Sequence, residues 1–96
     1  MIFYNNLSMS DLSKHINIGK DLESKLIQVG INSFDELKLA GTENAFLRIQ
    51  AINKGACFNL LCAIDGAIQN VRWHYLPTER KEELKQFLSL TNLCNH

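Results

Sequence analysis

The sequence has no excess of charge of either sign. Ten Lys and Arg residues balance ten Asp and Glu residues among its 96 residues, so the formal net charge at pH 7 is zero. A neutral chain produces no overall field that attracts a polyanion or an anionic membrane, and dedicated nucleic-acid binders usually carry a clear basic excess. The composition therefore disfavours nucleic acid and membranes as the main partner.

Long apolar runs are also missing. No stretch approaches the roughly 20 residues that a membrane-spanning helix needs. Residues 1–6 contain no basic region followed by an apolar run, which is how a signal peptide begins. We therefore expect a cytoplasmic protein with no membrane partner.

Motifs for metal, cofactor or nucleophilic chemistry are absent as well. The three cysteines form no CxxC pair, and Cys57 and Cys62 would point about 140° apart on a helix, so we expect buried reduced thiols. The scattered His and Cys residues do not supply four closely spaced zinc ligands, and neither a phosphate-binding Gly-rich loop nor a G-x-S-x-G motif occurs. The sequence predicts no metal, no cofactor and no enzymatic activity.

Strand signals are lacking, because apolar and polar residues do not alternate and no hairpin turn is present. Hydrophobic residues make up 46% of the chain and charged residues 21%, as in ordinary globular domains, and the length suits one domain with its own core. We predict a single all-α domain over residues 1–96, built as a compact bundle of about five short helices. Residues 1–9 and 91–96 are predicted loose ends.

The most apolar segment, Phe58 to Ile68, reads FNLLCAIDGAI and has no clearly polar face, unlike a surface helix. It predicts a central buried helix from about Cys57 to Gln69. Gly66 inside this helix costs about 1 kcal/mol relative to Ala. Its presence indicates that another backbone crosses closely at this point.

Capping signals place the other helices. Residues 19–30 have helical spacing and end on a glycine suited to a left-handed cap. Ser33–Glu36 matches the S-x-x-E capping box of a second helix, and Thr42 is the expected N-cap of a third. Pro77 marks the start of the last helix, which we expect to run to about Leu90.

Five short motifs follow one another along these helices. They are NIGK-x-L-x-x-x-L-x-x-x-GI-x-S-x-x-EL at 17–37, AFLRI at 45–49, NLL-x-A-x-x-GA at 59–67, RWH-x-LP at 72–77 and KEEL at 81–84. In this order they resemble the C-terminal domain of TfoX-family proteins over about residues 10–88. The resemblance implies a helical domain related to helix-hairpin-helix and SAM-like folds, with no catalytic residues.

The founding members of that family are bacterial regulators of natural competence that carry an additional N-terminal domain. Only about nine residues precede the match here. We therefore expect a stand-alone C-terminal module.

A hairpin-like turn is the main candidate contact site. In helix-hairpin-helix proteins a similar turn with two glycines offers backbone N–H groups to a DNA phosphate at a helix N-terminus. Here an asparagine replaces the first glycine, and acidic neighbours reduce the net charge of residues 14–25 to plus one. A purely structural turn is the competing interpretation. The candidate contact residues for DNA phosphate or a protein partner are Asn17, Ile18, Gly19, Lys20, Lys14 and Lys25.

Two further features carry mainly structural interpretations. Asp65 lies on the apolar helix and needs a partner, for which Arg72 and Arg48 are the candidates, in a structural ion pair. Trp73 and its aromatic neighbours could stack on bases, but we favour Trp73 filling the gap between the central and last helices. We therefore assign structural roles to Asp65, Gly66, Arg72 and Trp73.

Two functions from different classes follow. The first is a non-catalytic regulatory module that binds a protein partner or self-associates as a homodimer. The alternative is a domain that binds DNA weakly and without sequence preference through the 17–20 turn.

Overall fold

The computed structural model describes residues 11–53 and 55–94, and all regular structure in these ranges is helical. The predicted all-α class with five helices is confirmed. The elements are a 3-10 turn at Leu12–Lys14, α1 (Lys20–Gln28), α2 (Phe34–Ala40), α3 (Thr42–Ile52), α4 (Phe58–Gln69), a second 3-10 turn at Trp73–Tyr75, and α5 (Thr78–Cys94).

Helix α4 is the centre of the bundle, as its apolar sequence predicts. It packs against α3, α5 and the Trp73–Tyr75 turn. Cys57 is its N-cap and makes no side-chain capping bond. An edge-to-face contact between Phe46 of α3 and Phe87 of α5, with centroids 6.3 Å apart, closes the core beside it. The buried residues of α4 are Leu61, Cys62, Ile64, Asp65, Gly66 and Ala67.

The two cysteines of this region have different surroundings. Both are free thiols, but Cys57 is exposed at the start of α4, so the expectation that both are buried is wrong for Cys57. Cys62 is buried, and its burial raises the pKa of the thiol because the thiolate would be poorly solvated. Cys62 therefore behaves as a small apolar core residue.

Glycines with positive φ separate the N-terminal helices. Gly30 has a φ of +89°, and the N–H that follows it, on Ile31, donates to the Leu26 carbonyl at 2.9 Å, which confirms the predicted left-handed cap. Gly41, with a φ of +84°, ends α2 and is the N-cap of α3. Thr42, the expected N-cap, is instead the first helical residue, so its hydroxyl is free to bond elsewhere.

The capping box of α2 is present in a shifted form. The Ser33 hydroxyl accepts the N–H of Glu36 at 3.1 Å, as predicted. The Glu36 carboxylate accepts the N–H of Asn32 at 2.6 Å, one residue before the usual partner. Both contacts hold the first turn of α2 against the α1–α2 connection.

Helix α5 runs to Cys94, four residues beyond the predicted end near Leu90. Residues 91–94 are therefore helical and not part of a loose end. The extension is anchored by Thr91, whose hydroxyl donates to the Leu88 carbonyl at 2.8 Å and lies 3.4 Å from the Gln50 amide of α3. Residues 1–9, 95 and 96, the other predicted loose ends, lie outside the described residues. No helix of the described part is long and apolar enough to cross a membrane.

The backbone after α4 crosses directly over Gly66, as its position in the sequence predicts. Asn70 ends α4 in the left-handed conformation, and the chain turns back so that the Asn17 amide donates to the Val71 carbonyl at 2.8 Å above the glycine. A Cβ at Gly66 would lie 2.5 Å from Asn17 Nδ2 and 2.6 Å from the Val71 oxygen. The position therefore has no room for a side chain.

Gly66→Ala should destabilise the protein by about 1–2 kcal/mol, because the cost of overpacking exceeds the gain of about 1 kcal/mol in helix propensity. Urea unfolding followed by circular dichroism measures the change. Gly19→Ala is the matched control, since nothing lies within 4 Å of a Cβ at Gly19, and it should cost less. A Gly66→Ala variant as stable as the wild type would show that the crossing is not tight.

Candidate functional site

The 17–20 turn is built into the fold by its first two residues. Asn17 adopts a φ of +70°, and its side-chain oxygen accepts the N–H of Trp73 at 3.3 Å while its amide donates to Val71. Ile18 is buried in the core with 4% exposure. Asparagine at the place of the first glycine thus supplies the left-handed conformation and joins two distant segments. Neither side chain is available to a ligand.

The remaining residues of the turn lie at the surface. Gly19 and Lys20 are exposed at the start of α1, and Lys14 is exposed on the preceding 3-10 turn. Lys25, by contrast, pairs with Asp21 at 2.9 Å across one turn of α1. The first turn of α1 carries two carboxylates, those of Asp21 and Glu23, which interact favourably with the helix dipole. They would also repel a phosphate, so the local charge suits an anion poorly.

The hydrogen bonds of Asn17 bring the aromatic candidate, Trp73 and its neighbours, next to the start of this turn. Trp73 is half-buried against the core and stacks on His74, with ring centroids 4.0 Å apart, while Tyr75 is 78% exposed. Lys81 donates to the His74 carbonyl at 3.0 Å and ties the aromatic turn to α5. The Asn17–Trp73 hydrogen bond therefore joins the 17–20 turn to the aromatic turn at residues 73–75, a contact that their separation in sequence does not indicate.

Asp65 is the centre of a buried polar cluster. Its carboxylate is 3% exposed and receives a bidentate pair from Arg80, with Nη2 to Oδ1 at 2.8 Å and Nε to Oδ2 at 3.1 Å. The Thr42 hydroxyl donates to the same carboxylate at 2.8 Å, and the Gln69 amide at 2.7 Å. Four donors therefore compensate for the removal of this charge from water.

Arg80 connects this cluster to the surface. Its guanidinium also pairs with Glu43 of α3 at 3.3 Å and Glu83 of α5 at 3.2 Å. The hydrogen bonds that Arg80 donates to Asp65 raise the pKa of Arg80 further above its ordinary range, so the guanidinium is charged at neutral pH.

The expected ion pair of Asp65 therefore exists, but its predicted partners are wrong. Arg72 is exposed on the loop after α4, and Arg48 is exposed on α3 and donates to the Val29 carbonyl at 3.5 Å. Arg80, which looks like an ordinary surface residue of α5 in the sequence, reaches Asp65 instead. The sequence signal that could have indicated Arg80 is its position in the first turn of α5, because α5 packs directly on α4.

Sequence reasoning missed a depression between α2 and α3. It has a volume of about 310 Å³ and opens to solvent. Leu39 stands at its edge with 88% of its surface exposed, the highest value among the exposed large apolar residues of the described part. The available signal was the position of Leu39 two residues after the buried Leu37, which places it off the inward face of α2. The lining residues are Gly30, Ile31, Glu36, Leu39, Ala40, Asn44 and Arg48.

Metal-binding groups do not converge in the described part of the chain. No three His, Cys, Asp or Glu side chains there are arranged to hold a metal ion. His15 instead stacks on Phe34 with centroids 3.6 Å apart, and its Nε2 lies 3.9 Å from the Asp11 carboxylate, which accepts the Phe34 N–H. These contacts join the first 3-10 turn to the start of α2.

Comparison with known proteins identifies the family. The sequence model of the TfoX C-terminal domain family matches residues 8–88, which is most of the chain. The chain belongs to the TfoX C-terminal domain family. The matched region of this TfoX C-terminal domain contains the 17–20 turn, the Asp65 cluster and the α2–α3 depression, whereas the last residues of α5 lie beyond it.

Two solved structures from Listeria monocytogenes share the fold of this TfoX C-terminal domain. An uncharacterised protein in a triclinic crystal form is 47% identical with a TM-score of 0.78, over 79% of this chain and 86% of that chain. A protein of unknown function in a tetragonal form is 46% identical with a TM-score of 0.79, over 81% of this chain and 96% of that chain. No curated protein matches the chain.

Asp65→Ala should lower the free energy of unfolding by about 3 kcal/mol or more, because it leaves the partly buried Arg80 without its main partner. The melting temperature should fall by about ten degrees or more, which differential scanning calorimetry measures. Arg72→Ala is the matched control and should stay within about 0.5 kcal/mol.

A double-mutant cycle tests the coupling. Asp65→Ala with Arg80→Ala should cost less than the sum of the two single changes, because the double variant contains no unpaired buried charge. An unchanged melting temperature in Asp65→Ala, or strict additivity, would contradict the assigned pair.

Proposed function

We propose that this TfoX C-terminal domain is a non-catalytic protein-interaction module of a bacterial regulatory system, and that the α2–α3 depression is its docking surface. The observation that carries the proposal is Leu39, which is 88% exposed beside an open depression of about 310 Å³. Leaving such a side chain in water forgoes about 1.5–3 kcal/mol of burial energy, which a bound partner would recover. Arg48 also lines the depression, and arginine is enriched in protein interfaces.

The buried polar groups support a structural interpretation of the interior. Thr42 and Asp65 are the buried polar or charged residues of the described part, and they bond to each other. Their donors and acceptors are engaged by the cluster around Arg80. This arrangement holds helices together and presents no buried reactive group to a substrate. The surface is therefore the place where the function is expected.

The family supports a regulatory setting. The TfoX resemblance implies a relation to competence regulators, whose C-terminal domain corresponds to residues 8–88 of this chain. The domain has no net charge, so it lacks the electrostatic attraction to a polyanion on which nucleic-acid binding largely depends. Binding to a protein does not require that attraction.

Leu39→Glu should abolish specific capture of a partner by the tagged full chain, since the change places a charge at the centre of the proposed interface. Capture from the source cells followed by mass spectrometry compares the wild type with this variant. Leu90→Glu is the matched control, because Leu90 is also exposed, at 62%, but lies on α5. If the wild type and Leu39→Glu retain the same proteins, the depression is not the docking surface.

Weak DNA binding is the second candidate, and one observation favours it. Lys14, Gly19 and Lys20 are exposed, and Asn17 of the same turn accepts a hydrogen bond from the backbone of the aromatic turn at residues 73–75. The 17–20 turn thus offers backbone N–H groups and charge and is joined to a set of aromatic rings. The carboxylates of Asp21 and Glu23 in the same helical turn oppose it.

Fluorescence anisotropy with duplex and single-stranded DNA at low salt tests this alternative. If it holds, affinity should fall steeply as salt rises, and Lys20→Glu should weaken binding several-fold by removing a phosphate contact. Lys85→Glu on α5 makes the same charge change elsewhere and should have little effect. Absence of binding at low salt would eliminate DNA as a ligand of this turn.

A further inference from the structure

The α2–α3 depression is bordered by α2 on one side and by α3 on the other. We call these borders the α2 lip and the α3 lip, and their side chains differ in chemistry. Glu36 and Leu39 are three residues apart on α2, and Asn44 and Arg48 are four apart on α3, so each pair lies on one face of its helix. Between them the connection after α1 forms the floor, where Ile31 is buried. One lip therefore carries a carboxylate and an exposed leucine, and the other carries a guanidinium.

Leu39 and the depression form a projection and a recess on the same face. The leucine is 88% exposed, so it does not fill the depression beside it. Gly30 and Ala40 in the lining are small, and they leave the volume of about 310 Å³ open. A surface that has both a projection and a recess can be complementary to itself.

The charges of the two lips are also self-complementary. Arg48 has no carboxylate partner in the described part of the chain, where the only hydrogen bond of its side chain is the long one, 3.5 Å, to the Val29 carbonyl. The Glu36 carboxylate is held in place by the Asn32 N–H at 2.6 Å through one oxygen, and its other oxygen is available. One cation and one anion cancel, so a nucleic acid or a strongly acidic peptide would meet Glu36 unfavourably.

We propose that the depression is a two-fold self-association surface and that its occupant is a second copy of this chain. A two-fold axis running along the depression places the α2 lip of each copy against the α3 lip of the other. Glu36 then faces Arg48 of the second copy twice, and Leu39 of each copy covers the depression of the other. This inference rests on the proposed function, because it names the partner of the same docking surface.

Sedimentation equilibrium of the full chain from micromolar to millimolar concentration provides the first test. The wild type should form dimers and no larger species, since a two-fold contact closes on itself. Leu39→Glu should raise the dimer dissociation constant by about tenfold or more, because it removes two buried leucines and introduces two charges. Leu90→Glu should leave the dissociation constant unchanged.

A charge exchange provides the second, more specific test. Arg48→Glu alone places carboxylates opposite one another at both contacts and should weaken the dimer about tenfold or more. The double variant Glu36→Arg with Arg48→Glu restores opposite charges across the axis and should recover most of the affinity. Circular dichroism melts confirm that each variant is folded, since Glu36 also contributes to the cap of α2.

The outcomes separate the two proposals. A wild type that stays monomeric at millimolar concentration, or a double variant no better than Arg48→Glu alone, overturns self-association through this face. If such a monomer still captures another protein in a Leu39-dependent manner, the proposed function stands with a different partner. If neither dimer nor Leu39-dependent capture is found, both proposals fail.

Discussion

The bidentate ion pair between Asp65 and Arg80 is the interaction on which the arrangement of the last three helices depends. Asp65 is on the most buried helix, Arg80 is in the first turn of α5, and Thr42 and Glu43 bring the start of α3 to the same point. A carboxylate with 3% exposure is stable only when its partners are in place. The charge therefore restricts how these helices can pack, whereas apolar contacts alone would tolerate several arrangements.

A second constraint acts on the other side of the same helix. Gly66 has no side chain, so the segment after α4 can return across it, and Asn17 bonds to that segment at Val71 and Trp73. The glycine and the asparagine depend on each other, because a Cβ at position 66 would occupy the space of the Asn17 amide. The turn that resembles a phosphate-binding hairpin is thus, first of all, a structural joint. Its exposed part is limited to Gly19, Lys20 and the neighbouring Lys14.

These two constraints indicate which part of the surface has side chains that are not engaged within the fold. The polar groups around α4 are engaged within the fold, and the start of α1 carries its own carboxylates. The α2–α3 face, in contrast, has an exposed leucine, an open depression and an arginine without a carboxylate partner in the described residues. That difference is the reason why we propose a docking role for this face, with a second copy as its occupant.

The sequence by itself determined the helices, because apolar periodicity, the glycine at position 30 and the Ser33 cap act over a few residues. It also identified the central helix, the close crossing at Gly66 and the family. Only the tertiary structure decided that Arg80 and not Arg72 or Arg48 reaches Asp65, and that Asn17 bonds to a loop more than fifty residues away. It likewise created the depression, whose lips come from separate helices. Such pairings depend on how helices are oriented in space, which local patterns do not encode.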